Sequence, residues 1–177
     1  MARKPFLYYH VVFSEVGRNL ELREAQALHA CLHDNDISRL RRLLSNVADI
    51  NHPHYAFGTP LHVAIWCDNL AAVDVLLHAG ADAQAATLDT EAVTCLALAV
   101  RNGRRCIFQR LRRHVPAENH ANGSLDSMPC LVEAAEYGQA CLVSDVLGWW
   151  DGWTNGVKED ALLSAAARWH VHVVDVL

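Results

Sequence analysis

Residues able to do chemistry are plentiful here: the 177-residue chain holds eleven histidines and six cysteines. His29 and His33 stand four apart with Cys31 between them. On a helix that spacing sets two imidazoles on one face, as a zinc site requires. The Glu that follows the first histidine of a zinc-protease helix is absent, since Ala30 occupies the position. His52 and His54 lie two apart in a predicted loop, and His170 and His172 lie two apart on a predicted helix, pointing to different faces. The cysteines, at positions 31, 67, 95, 106, 130 and 141, form no C-x-x-C pair. There is no nucleophile elbow, P-loop or dinucleotide fingerprint. Asp34 and Asp36 flank Asn35, but the glycine and distal Glu of a calcium loop are missing. Neither catalysis nor a metal or other cofactor is expected from these residues.

The elements that carry them explain their placing better. Thr59 is a good helix N-cap, and Pro60 suits the first helical position, where a missing N–H costs nothing. Leu61, Ala64 and Ile65 recur at helical spacing. Asp68-Asn69 breaks that helix, Val73, Leu76 and Leu77 form the apolar stripe of a second, and Gly80 stops it. Shifting back by 33 residues superposes Leu28-His29 on Leu61-His62, Leu40 on Val73 and Leu43-Leu44 on Leu76-Leu77. Shifting forward by 35 finds Thr94, Leu96, Ala99, Gly103, Ile107 and Leu111. A further 35 finds Leu131, Ala134, Gly138, Leu142 and Val146. A last copy begins at Asp160 with Leu162, Ala165, Val173 and Val174.

Thr59, Pro60, Leu61, His62 and Ala64, with Leu76, Leu77, Gly80 and Ala81, make this unit resemble an ankyrin repeat. The resemblance implies an all-α solenoid of about five stacked helix-turn-helix units, the last incomplete. Units are expected near 24–56, 57–91, 92–126, 127–157 and 158–177, within an array over 21–177. It also implies structural roles for His29 and His62 at the opening turn. Asn51 falls in the loop slot that the resembling family can hydroxylate, but the residues themselves favour a plain turn Asn. The third unit has Cys95 and Ala97 in place of Pro and His, and Arg112 where a buried Leu belongs, so it should be the loosest. Trp169 stands where Gly, Asn or Asp would end a first helix. The last unit stops on an apolar stripe at Leu177, from which a fragment, a truncated product or one part of a longer array is expected.

Composition is that of an ordinary globular chain, 52% hydrophobic and 20% charged, and no apolar run approaches a membrane span. Residues 1–20 carry Arg3 and Lys4 before an apolar run, but Tyr8, Tyr9 and His10 interrupt it, and no small-residue cleavage site follows. An extended segment capping the first unit is expected there. Equivalent cysteines, Cys95 with Cys130 and Cys106 with Cys141, would sit on helices about 8–10 Å apart, beyond the roughly 7 Å a disulfide allows. Free thiols in a reducing compartment, cytoplasmic or nuclear, are expected. A net charge of −5 argues against nonspecific nucleic-acid binding. Residues 101–113 nevertheless hold six arginines, either a basic face for an acidic partner or a solvated helix surface.

These features predict a monomeric, non-enzymatic module that binds another protein, with no nucleic acid and no membrane as partner. The alternative is the targeting part of a longer effector or accessory enzyme whose activity lies outside this chain. In the resembling family a concave face is lined by first helices and inter-repeat loops, which selects Trp66, Arg101 and Tyr137 as contacts. Residues 148–159 add Trp149, Trp150 and Trp153, which either bind a partner or cover the junction of the last two units. The loop 116–127 is polar and expected to be flexible.

Overall fold

The computed structural model describes residues 20–53, 57–87, 92–115 and 130–177. The predicted cap at 1–20, apart from Leu20, and the polar loop at 116–127 lie outside these residues. Within them the chain is helical and arranged as pairs: α1 (Leu20–His33) with α2 (Ile37–Leu44), α3 (Pro60–Trp66) with α4 (Leu70–His78), and α5 (Cys95–Arg101) with α6 (Arg105–Leu111). α7 (Cys130–Glu136) pairs with α8 (Ala140–Leu147), and α9 (Asn155–Ala167) with α10 (Val171–Val174). First helices stack on first helices from α1 through α9, and second helices on second helices from α2 through α10. The result is the helix-turn-helix solenoid that the sequence implies.

Each pair is joined by one residue in the left-handed region: Asn35, Asp68, Gly103, Gly138 and Trp169, with φ between 56 and 71°. These five residues are spaced 33, 35, 35 and 31 apart, so the backbone itself reports the repeat frame. The next residue starts the second helix. Asp36 accepts from the Arg39 amide at 2.8 Å, and Asn69 accepts from the Ala72 amide at 3.0 Å, each satisfying one orphan donor. Thr94 caps α5 in the same way, at 3.2 Å from the Ala97 amide.

His62 performs the structural role expected of it. It is buried, its Nε2–H donates to the Val93 carbonyl at 3.0 Å, and its Nδ1 accepts the Thr59 amide at 3.2 Å. One imidazole therefore closes its own helix start and fastens it to the chain entering the next unit. Gly58 must stay small for this, because it sits at φ 69° and a Cβ there would come within 2.9 Å of the His62 ring. A second tie runs through the loop: Asn51 Oδ1 accepts from the Asp82 amide at 2.8 Å. That bond gives Asn51 a structural part, linking the end of unit one to the end of unit two.

The core is continuous along the stack because each unit repeats the same apolar slots. Leu28, Leu61, Leu96 and Leu131 occupy one slot and are fully buried. Leu40, Val73, Phe108 and Val143 occupy another and are also fully buried. Unit five begins earlier than the sequence division near 158. Thr154 caps α9 through the Val157 amide, so residues 155–159 are helix rather than loop.

Candidate partner-binding face

The inter-helix turns form a ladder. At every junction the residue after the left-handed position lies over the left-handed residue of the unit before it. Asn69 Nδ2 donates to Asn35 Oδ1 at 2.7 Å, and Arg104 pairs with Asp68 at 2.8 Å. Gln139 lies over Gly103 and His170 over Gly138, so closely that a Cβ on either glycine would clash. His170 Nε2–H also donates to the Glu136 carbonyl at 3.0 Å. The ladder fixes the ends of the first helices side by side and presents their last residues as a row.

Trp66, at the end of α3, is 55% exposed, and Tyr137, in the turn after α7, is 44% exposed. Arg101, at the end of α5, lies between their units. Its Nε donates to Glu133 Oε1 at 2.8 Å, and the Glu133 carboxylate is buried. Arg101 therefore spans two roles, pairing inward while part of its side chain remains accessible.

The arginine-rich stretch is neither a bare basic face nor a merely solvated surface. Arg104 pairs with Asp68 and Arg110 with Asp74 on unit two, while Arg101 pairs with Glu133 and Arg105 with Asp145 on unit four. Four arginines of one unit thus staple it to both neighbours, which offsets its degenerate opening turn. The three more exposed pairs contribute about 0–1 kcal/mol each, so they position more than they stabilise. The paired carboxylates sit 32 to 40 residues from their arginines, about one repeat away, and only a frame-aware reading reveals them.

Arg105 grips Asp145 with two parallel bonds, at 2.6 and 2.9 Å, and Gln109 adds a third at 3.2 Å. The guanidinium holds the Asp145 carboxyl below the usual carboxylate range, against the opposing effect of burial. A lowered native pKa means stability that is complete above the unfolded value of about 3.9 and lost as pH falls through the native one. We expect acid titration of the melting temperature to fall less steeply below that pH for Arg105→Ala than for wild type. Parallel acid limbs would show that the fork adds nothing.

The tryptophan cluster turns inward. Trp153 is buried, and its indole N–H donates to the Val146 carbonyl at 3.2 Å. Trp150 packs edge-on against it, with ring centroids 5.2 Å apart. Trp149 meets Phe108 edge-on at 5.8 Å. These geometries join α6, α8 and the start of α9 into one apolar cluster. Trp153 is a buried core residue, and Trp149 and Trp150 are partly buried against the core.

The other reactive groups are placed as structure. Cys95 and Cys130 are buried, and desolvation pushes their thiols up, away from the reactive thiolate. Cys67, Cys106 and Cys141 are exposed free thiols. His29 is buried with its ring 6.3 Å from that of Phe57, while His33 is exposed and lies 3.6 Å from Asp34. Among the described residues no three His, Cys, Asp or Glu side chains converge as a metal site would. No helix among them is long and apolar enough to cross a membrane.

Residues 28–77 match the family model described as ankyrin repeats (many copies). The match spans α1 after Ala27 through nearly all of α4, the two units whose turns and caps agree best with the motif. No curated protein matches the chain. Ankyrin repeats generally mediate protein–protein interaction.

Proposed function

We propose, on the premise that this chain carries ankyrin repeats, that it is a non-enzymatic module that holds a partner protein along the row of first-helix ends. Trp66, Arg101 and Tyr137 are the contacts. The observation that carries the reading is Trp66, an indole more than half exposed at the end of a helix whose preceding six residues are all buried. Nothing in the stacking of α3 requires a tryptophan there: the equivalent positions hold His33, Arg101, Glu136 and Ala167. Trp, Tyr and Arg are the side chains that dominate binding energy at protein interfaces. The row holds all three at successive or neighbouring units, on a backbone fixed by the turn ladder, so little ordering cost remains to be met on binding.

Affinity capture with the full chain, followed by titration of the captured protein, tests this. Trp66→Ala and Tyr137→Ala should each weaken the titrated complex by about tenfold or more, at an unchanged melting temperature. A captured protein that binds both variants as it binds wild type would remove the row from the interface.

A further inference from the structure

Charge along the row of first-helix ends is matched at units two, three and four. Asp68 is paired with Arg104, Arg101 with Glu133, and Glu136 with Arg168. Unit one differs. Its turn carries Asp34 and Asp36, both exposed. Asp36 caps α2 by accepting the Arg39 amide. The Asp34 side chain is 64% exposed and meets the His33 ring at 3.6 Å. Among the described residues no lysine or arginine pairs with either carboxylate, although Arg39, Arg41 and Arg42 all stand exposed on α2. The unmatched charge of the row at this end is therefore negative, and it stands beside Trp66. The repeat frame sets Trp66 in the slot of His33 and Cys67 in the slot of Asp34. Asn69 ties the two turns together through Asn35 at 2.7 Å. The indole and the Asp34 carboxylate thus flank one junction, about one helix spacing of 8–10 Å apart. On the other side of Trp66, Arg101 and Arg104 are already matched by Glu133 and Asp68, so a cation gains nothing there.

Resting on the reading of the row as a partner surface, we propose that the partner protein presents a basic side chain, an arginine before a lysine, that lies over Trp66 and pairs with Asp34. An aromatic face attracts a cation, and a carboxylate across the junction adds to that attraction. A guanidinium suits the place better than an ammonium. It is planar, it stacks on an indole, and its edge can meet a carboxylate while its face stays on the ring. Its apolar stem also covers the part of Trp66 that the stack leaves in water. Trp66 is 55% exposed, so the surface for such a stem is present before any partner arrives. A wholly apolar anchor would leave the Asp34 carboxylate desolvated and unpaired, and an acidic anchor would set like charges together. The same two groups therefore select for one partner chemistry and against two others.

Selection of short random peptides displayed on phage against the full chain, with counter-selection on Trp66→Ala, tests it. Peptides that bind wild type and fail on Trp66→Ala should share a basic residue. In a synthetic copy of such a peptide, Gln at that position should weaken binding about tenfold, and Lys in place of Arg about threefold. Asp34→Asn should weaken the parent peptide by about the same tenfold and leave the affinity of the Gln peptide unchanged. That non-additivity is the signature of a direct pair. Asp34→Asn should melt as wild type does, because the cap of α2 is Asp36. Trp66-dependent peptides that carry no shared basic residue, or that bind Asp34→Asn as they bind wild type, would overturn the proposal and leave the row standing. A selection that yields no peptide dependent on Trp66 would overturn both.

Discussion

Phe108→Ala is expected to lower the unfolding free energy by about 3–5 kcal/mol, the range for deleting a fully buried aromatic ring. Phe108 has no exposed surface and is the largest fully buried side chain among the described residues. Its slot holds Leu40, Val73 and Val143 in other units, so the ring fills a volume that unit three alone provides. It also supports the edge of Trp149, and through that contact α6 braces the loop leading to α9. Its removal therefore loosens two junctions at once. In a quasi-linear array such a loss in the middle uncouples the ends. Urea denaturation should show a lower midpoint and a broadened or two-step transition. A single sharp transition within about 1 kcal/mol of wild type would mean that the units are not coupled through this layer.

Arg101→Ala should cost about 3 kcal/mol, the lower end of the range for breaking a buried ion pair by removing one partner. Glu133 is buried on α7, and Arg101 is the cation that reaches its Oε1. The arginine is itself partly exposed, which places the cost at the lower end. The paired change Arg101→Met with Glu133→Leu should restore most of the lost stability, because two apolar side chains leave no desolvated charge behind. Denaturant midpoints of the single and double variants decide it. A double variant as unstable as the single would mean that the pair is needed for more than neutralising its own buried charge.

The fold was legible because stacking imposes one demand many times. Leu61, Leu96 and Leu131 must be apolar for the same reason, and the left-handed turn selects Asn35, Asp68, Gly103 and Gly138 for the same reason, so a frame read from one strong unit carries to the weak ones. The arginine staples were less legible. Arg105 and Asp145 lie 40 residues apart, and composition alone shows a basic run rather than four cross-unit pairs. The tryptophans of residues 149–153 were ambiguous for a different reason. An indole serves equally as anchor or as filler, and the sequence does not show the Val146 carbonyl that takes the Trp153 N–H into the core. The early start of α9 was hidden because Gly152 and Gly156 read as loop residues, while the cap that decides the boundary is Thr154.

The central claim is that the ends of the first helices form the surface a partner protein meets. Hydrogen exchange of the chain with and without the captured protein tests it most directly. The account predicts new amide protection at the three turns around residues 66–69, 101–104 and 136–139, with the outer helices α4, α6 and α8 unchanged. Protection confined to those outer helices, or to residues 148–154, would contradict it.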